Sequence, residues 1–129
     1  MGRYRGLLVV VVLIGFATGE VYAASAKENF AHYCAQCHGM DGKGTGINAT
    51  KELPVAPRDL TDGQDLGSFT DEQIFNTLSK GGAANDLSPI MPPWGNTLTS
   101  SEIRELVKFV RSLCHCVFDP QLTREKSGK

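Results

Sequence analysis

The sequence lacks any apolar run long enough to cross a lipid bilayer as a helix. Its longest such stretch, from Leu7 to Ala17, is well short of the roughly 20 residues that a membrane-spanning helix needs. The chain also lacks internal repeats, low-complexity tracts and the alternation of polar and apolar residues that marks β-strands. These absences favour a small all-α protein and argue against a retained membrane anchor.

The sequence also has no large excess of charge of either sign. It contains 13 Lys and Arg against 14 Asp and Glu, for a formal net charge of −1. No basic patch indicates nucleic-acid binding and no acidic tail indicates a strongly charged partner. The glycine-rich interval 39–46 lacks the G-x-x-x-x-G-K-[ST] pattern of a phosphate loop. A protein partner that docks through local patches remains compatible with this balance.

The N-terminal residues have the order of a secretory leader. Arg3 and Arg5 precede the apolar stretch, and small residues follow it at Ala23, Ala24 and Ala26. This order predicts a signal peptide over residues 1–23, with cleavage after Ala23 or after Ala26. The rest divides into one small domain over residues 24–118 and a polar, frayed tail over residues 119–129. Export predicts a periplasmic protein, secreted across the inner membrane.

Two of the four cysteines lie in the motif CAQCH, residues 34–38. Two thiols separated by two residues and followed at once by His are the attachment signature of a c-type haem. Cys34 and Cys37 would form thioethers, and His38 would bind the iron. Thioredoxin-like dithiols and zinc sites also use C-x-x-C. The first expects a βαβ context that is missing, and the second leaves His38 unexplained, so we expect one haem c.

Apolar spacing and capping residues predict three helices. The first covers Lys27–Gln36 and carries Cys34 near its end. The second begins at a capping box on Thr70 and ends at Gly81, and the third begins at a capping box on Thr99. The third has the strongest apolar period, and its apolar face is suited to packing against the first helix. Residues 51–67 and 83–96 are expected to be loops.

Met91 is the predicted second ligand of the iron. Met1 leaves with the leader, and Met40 lies too close to His38 in sequence to reach the opposite face of the ring. Met91 lies far downstream in a loop that Pro89, Pro92 and Pro93 stiffen. The alternative is a methionine that fills a gap in the core. A thioether favours reduced iron and closes the second face, as expected for a one-electron carrier.

Four segments together resemble a class I cytochrome c of the small bacterial periplasmic kind. They are CAQCHGMDGKG, the helix capped at Thr70, the loop SPIMPPWG and the terminal helix LTSSEIRELVKFVRSL. The resemblance covers roughly residues 26–113. It implies a cytochrome c fold of three to five helices around one covalently bound haem, with the first and last helices crossing and one haem edge exposed. It assigns the thioethers to Cys34 and Cys37 and the axial bonds to His38 and Met91.

The resemblance also implies supporting residues around the haem. In the family a proline carbonyl accepts the proximal His Nδ1–H; Pro54 and Pro57 are the candidates, and Pro57 is favoured by the APRDL sequence around it. Arg58 is either a partner of a haem propionate or an ordinary solvated charge. Trp94 is expected to contact the haem or its pocket, with its indole N–H available to a propionate.

The motif Cys114-His115-Cys116 has no place in the resembling family's pattern. It is not a second haem site, because C-x-C lacks one intervening residue and Val117 stands where His is needed. The two thiols could bridge each other, crosslink to a partner or bind a metal with His115. One of these residues could also replace Met91 on the iron, which would lower the potential.

The sequence thus predicts a periplasmic one-electron carrier, not an enzyme, that shuttles electrons between a dehydrogenase or reductase and a terminal acceptor. Its redox partners would dock transiently at the haem edge. Two alternatives remain open. One is a haem subunit of a larger enzyme, tethered through Cys114 or Cys116; the other is a haem protein whose open or Cys/His-bound distal side binds or converts a small molecule or sulfur compound.

Overall fold

The computed structural model describes residues 24–127, so the predicted signal peptide lies outside the described residues. Within this range all regular structure is helical, as the sequence predicts. The α-helices are α1 (Ala26–Asn29), α2 (Ala35–His38), α3 (Gly63–Gly67), α4 (Asp71–Lys80), α5 (Ser100–Cys114) and α6 (Pro120–Ser127). No helix in residues 24–127 is both long and apolar enough to cross a membrane.

The first predicted helix is present but contains a wider turn. A π-helical turn, Phe30–Cys34, joins α1 to α2 without a break. A capping box between Ser25 and Glu28 begins the segment, and Gly39, with φ of 76°, ends it. Single π-turns within helices are frequent at functional sites. Here the turn ends at Cys34, the first residue of the CAQCH motif.

The two longer helices begin where their capping boxes predict. Thr70 caps α4 together with Gln73, and Thr99 caps α5 together with Glu102. Gly81 ends α4 with φ of 86°, a backbone conformation that favours glycine. The short helix α3 lies in a segment that the sequence predicts to be a loop. Its N-cap is Asp62, whose carboxylate accepts hydrogen bonds from the next turn.

The core lies where α1 and the π-turn cross α5. Phe30, Ile103 and Leu106 are the largest fully buried side chains. The rings of Phe30 and Phe109 lie 5.0 Å apart, which confirms the predicted contact between the first helix and α5. The ring of Tyr33, which also packs against the core, lies 5.1 Å from that of Trp94. The aromatic pair at the end of the π-turn therefore joins the first helix to the loop that carries Met91.

The prediction of a frayed polar tail is wrong, because the tail contains the helix α6. Asp119 donates its backbone N–H to the carbonyl of Gly67 at 2.7 Å, and Thr123 donates its hydroxyl to the carbonyl of Ser68 at 2.8 Å. A Cβ on Gly67 would lie 2.9 Å from Leu122. The tail docks on α3, an element that the sequence analysis missed, so the partner that orders it could not be foreseen.

Candidate haem site

The two cysteines of the CAQCH motif lie on one helical turn beside a cavity. Cys34 is buried and Cys37 is partly exposed, and both thiols are free. Burial, and secondly the neighbouring Cys37, raise the pKa of Cys34 to about 11. Cys34 is therefore a neutral thiol at neutral pH.

His38 is held through its Nδ1 atom. Nδ1 lies 2.9 Å from the carbonyl oxygen of Arg58 and, as the donor, leaves Nε2 free to bind a metal. Burial lowers the pKa of His38, and the hydrogen bond to Arg58 opposes that effect. The imidazole is therefore neutral at neutral pH, which is the form that binds iron.

The predicted acceptor for His38, the carbonyl of Pro57, is wrong by one residue. The Pro57 carbonyl instead faces Gly44, whose φ of 78° and missing Cβ allow the close approach. Gly44 also donates its N–H to the carbonyl of His38 at 2.7 Å. Because successive carbonyls in an extended segment point in different directions, the loop that meets Gly44 through Pro57 presents Arg58 to His38.

The side chain of Arg58 has protein partners in this structure. Its guanidinium pairs with the carboxylate of Asp65 on α3 and lies 5.0 Å from the ring centroid of Phe69. Sequence reasoning placed Arg58 at the site but missed Asp65, since nothing in the sequence marks α3 as a helix that faces the cavity. A contact between Arg58 and a haem propionate stays a prediction.

Met91 lies in a loop that is bonded back to the end of α4. Gly82 donates its N–H to the Met91 carbonyl at 3.0 Å, and Met91 donates its own to Ser88 at 3.2 Å. Trp94 donates its backbone N–H to the carbonyl of Leu78 at 2.9 Å. These bonds anchor the backbone on both sides of Met91. The segment predicted to be wholly extended also includes a short 3₁₀ turn, Gly82–Asn85.

A cavity brings most of the predicted site residues together. Its outer part has a volume of about 750 Å³ and is lined by Cys37, Pro57 and Trp94 among others. A smaller, almost wholly apolar part continues towards the core. Both parts are lined by the same five residues: Cys34, His38, Arg58, Leu87 and Met91. The sequence carried no signal for Leu87.

The residues around this cavity fit an iron porphyrin. The volume lies within the roughly 300–1,000 Å³ of cofactor and ligand sites. The donor set comprises two free thiols, a neutral imidazole and a thioether; the inner part of the cavity is lined mainly by apolar side chains, whereas the outer part is mixed. Arg58 lines both parts, and the outer part also carries the carboxylates of Asp59, Asp62 and Asp65. A flat, largely apolar ring matches the apolar inner part.

The second cysteine pair is separate from the cavity. Cys114 and Cys116 are joined by a disulfide, with Cα atoms 5.1 Å apart, and neither lines either part of the cavity. The sequence left open a mutual bridge, a crosslink to a partner and a metal site; in this structure the two cysteines bridge each other. No group of three or more His, Cys, Asp or Glu side chains placed to hold a metal occurs in the described part of the chain.

Comparison with known proteins gives consistent matches over this domain. A family model described as cytochrome C oxidase, cbb3-type, subunit III matches residues 22–110. The cbb3-type cytochrome c oxidase subunit FixP of Azorhizobium caulinodans is 35% identical over 102 residues, which cover 78% of this chain and 31% of FixP. FixP of Bradyrhizobium diazoefficiens is 32% identical over the same shares of the two chains. This chain therefore spans less than a third of the length of these curated relatives.

Two solved structures have a similar fold. The KustC0563 c-type cytochrome aligns with a TM-score of 0.56 and 26% identity, over 70% of this chain and 98% of that one. A chain of the Kuenenia stuttgartiensis reducing HAO-like protein complex Kustc0457/Kustc0458 aligns with a TM-score of 0.54 and 31% identity. That alignment covers 68% of this chain and 40% of the other.

Proposed function

We propose, from the premise that this chain belongs to the cbb3-type cytochrome c oxidase subunit III family and is a class I c-type cytochrome, that it is a one-electron carrier with His/Met axial ligation. Membership of the cytochrome c family implies covalently bound haem c and electron transfer. The number of haems, their attachment, the axial ligands and the carrier role are the parts that we propose.

In this proposal one haem would be attached through Cys34 and Cys37, and His38 and Met91 would bind its iron. The haem supplies an iron centre that gains and loses a single electron. The observation that carries the proposal is that His38 and Met91 line the same cavity as Cys34. The Arg58 carbonyl orients the imidazole, and backbone hydrogen bonds hold the loop that carries Met91, so both candidate ligands stand on a positioned backbone.

The protein is proposed to work in the periplasm after removal of residues 1–23. Covalent haem attachment in bacteria takes place outside the cytoplasm in the resembling family, and the leader-like N-terminus supplies a route there. Redox partners would dock transiently at the haem edge beside the cavity mouth, where Cys37 and Trp94 lie. Pro57 and Trp94 would contact the ring, and Arg58 would divide its charge between Asp65 and a propionate.

Met91 ligation is tested by comparing two methionine variants of the exported, haem-loaded protein. Met91→Ala should abolish the ferric sulfur-to-iron charge-transfer band and allow the reduced protein to bind carbon monoxide, because one iron face is opened. Met40→Ala is the matched control, since Met40 is 64% exposed and lies outside the cavity. If Met91→Ala keeps the band, another residue binds the iron and the carrier proposal fails in this form.

A second candidate is a haem subunit of a larger enzyme. It is favoured by the matched relatives, which are named as subunits of an oxidase and are more than three times as long as the matched region. Purification of the tagged protein from its native membrane and soluble fractions separates the two candidates. Elution with stoichiometric oxidase subunits would support the role of an enzyme subunit. Elution as a small free cytochrome would support the role of a free electron carrier.

A further inference from the structure

The disulfide at the end of α5 lies beside a cation held almost out of solvent. Only 11% of the Arg111 side chain is exposed. Its Nη1 atom donates to Sγ of Cys116 at 3.5 Å and to the carbonyl of Leu66 at 2.9 Å. Its other nitrogens donate to the carbonyl of Phe69 and to the carboxylate of Asp71. The guanidinium is thus fixed against the sulfur of Cys116 by partners on α3 and α4.

The two sulfurs differ in environment. Cys114 is buried, at 7% exposure, whereas Cys116 is partly exposed. Sγ of Cys114 faces the backbone carbonyl of Arg111 at 3.5 Å, a neighbour that disfavours a thiolate. Sγ of Cys116 faces the Arg111 cation, and a nearby cation lowers the pKa of a thiol. One sulfur is therefore accessible and lies against a cation, whereas the other is buried against a carbonyl oxygen.

This disulfide is expected to contribute little to the stability of the fold. A disulfide stabilises a fold mainly by restricting the unfolded chain, and the restriction grows with the length of the closed loop. The loop here contains one residue, His115, which is exposed and adopts the left-handed backbone at φ of 50°. The helix end is already stabilised by backbone bonds from His115 and Cys116 to the Arg111 carbonyl.

We propose that Cys114 and Cys116 form a thiol–disulfide exchange site whose substrates are exported proteins or small molecules that carry a dithiol or a disulfide. When a substrate dithiol reduces the Cys114–Cys116 disulfide, one substrate thiolate attacks Sγ of Cys116. A mixed disulfide forms, the Cys114–Cys116 bond breaks, and Sγ of Cys114 leaves with the bonding pair and takes up a proton.

The second substrate thiolate then attacks the substrate sulfur of the mixed disulfide. The substrate disulfide forms and Cys116 leaves as a thiolate, which the Arg111 cation stabilises. The net reaction oxidises one substrate dithiol to a disulfide and reduces the Cys114–Cys116 disulfide to two thiols, with two electrons transferred. The reverse sequence begins with attack by the Cys116 thiolate on a substrate disulfide.

The first test measures access to the disulfide in the folded, haem-loaded protein, with dithiothreitol as the dithiol probe. Trypsin cleavage after Arg111 and Arg124 releases residues 112–124, which contain Cys114 and Cys116 but neither haem-motif cysteine. Alkylation and mass measurement of this peptide therefore report only on the proposed site. The haem absorbance of the same sample shows whether the protein stays folded.

We expect the native protein to be reduced at a rate within about a hundredfold of that of the urea-unfolded protein. A bond that opens only on unfolding would be slower by the unfolding equilibrium constant, roughly 10³ or more. Slower reduction than the hundredfold limit would overturn the proposal and leave a structural bridge. Neither outcome depends on the identity of the axial ligands, so the haem proposal stands or falls separately.

The second test assigns the roles of the two cysteines and of Arg111. In the reduced protein, Cys116 should be alkylated before Cys114, with a pH midpoint below that of a free thiol. Arg111→Gln should lower the rate at neutral pH by roughly three- to tenfold and raise the midpoint. Arg104→Gln is the control, because Arg104 lies on the same helix but pairs with Glu72 and is 61% exposed.

The pH profile must be assigned to Arg111 rather than to its neighbours. The other charged or titratable groups on the segments around the site include Asp62, Asp65, Asp71, Glu72, His115, Asp119 and Arg124. Equal profiles for Arg111→Gln and the control, or faster alkylation of Cys114, would overturn the assignment. The wild-type order of alkylation needs no substitution, so it remains decisive if the Arg111 variant fails to fold.

Discussion

Arg58 links the candidate ligand His38 to Asp65 on α3. Its carbonyl accepts the Nδ1–H of the imidazole, while its guanidinium pairs with Asp65. A rigid hydrogen-bond partner keeps a ligating imidazole in one tautomer and one orientation. The position of the Arg58 backbone therefore decides the geometry of the proposed proximal bond, and that position depends on the neighbouring contact between Pro57 and Gly44.

Gly44→Ala should displace this backbone. The new Cβ would overlap the carbonyl of Pro57, and the φ of 78° is unfavourable for alanine. We expect the free energy of unfolding to fall by about 1–3 kcal/mol, with a change in the haem absorbance as the imidazole tilts. Urea unfolding and the ferric spectrum measure the two effects.

Lys43→Ala provides the control for that substitution. Lys43 is exposed and precedes the glycine in the same loop, so its removal should change the unfolding free energy by less than about 0.5 kcal/mol. Similar values for the two variants would mean that the contact with Pro57 does not constrain the loop.

Three helical segments begin with reciprocal capping boxes, at Ser25, Thr70 and Thr99. A capping box is a local pattern, because both partners lie within one turn. This is why the beginnings of α4 and α5 are predictable from sequence. Neither the π-turn nor α3 begins with a reciprocal box. The boxes at Thr70 and Thr99 differ in their second partner. In α4 this partner is Gln73, which is neutral, and in α5 it is Glu102, which is ionisable.

Glu102→Gln should remove a pH-dependent contribution of α5 to stability. The backbone and side-chain hydrogen bonds from Thr99 lower the pKa of Glu102 below its ordinary value of 4.5. The folded state then binds fewer protons than the unfolded state, so the contribution is present above pH 4.5 and lost as the pH falls through the folded pKa. Urea unfolding of both proteins across this range should show a difference that disappears in acid.

The capping box of α4 supplies the reciprocal control. Gln73→Glu introduces the ionisable group at the equivalent position and should add a pH dependence of the same sign. If the wild type and Glu102→Gln lose stability in parallel between pH 6 and 3, the Thr99 contact does not distinguish the two protonation states.

At the scale of the whole molecule, the cavity extends into the core. Its two parts reach from the outer cleft to core residues such as Phe30 and Leu106. A chain this small has a limited apolar core of its own. We therefore expect the covalent haem to complete the core as well as to carry electrons.

Replacement of Cys34 and Cys37 by Ala should leave a colourless and poorly folded protein. Without covalent attachment the cofactor is lost, and with it the stabilisation that binding gives to the folded state. Circular dichroism and the rate of limited proteolysis measure the loss of structure. Cys114→Ser with Cys116→Ser is the control and should stay red and helical. A double Ala variant with full helicity would show that the polypeptide folds without the haem.

The sequence by itself determined the all-α class, the helix beginnings at Thr70 and Thr99, and the candidate donors Cys34, His38 and Met91. These rest on short-range patterns: capping boxes, apolar periodicity and the fixed spacing of CAQCH. Such patterns can be read from neighbouring residues because their physical causes act within a few positions along the chain.

Only the tertiary structure decided which carbonyl holds His38, that Asp65 pairs with Arg58, and that the tail docks as α6 on α3. It also joined Cys114 to Cys116 and placed Arg111 against that bridge. Each of these contacts joins segments whose relative orientation depends on packing around the core. Pro57 and Arg58 are neighbours in the chain, and the packing decides which of their two carbonyls faces His38. No local sequence pattern indicates that choice.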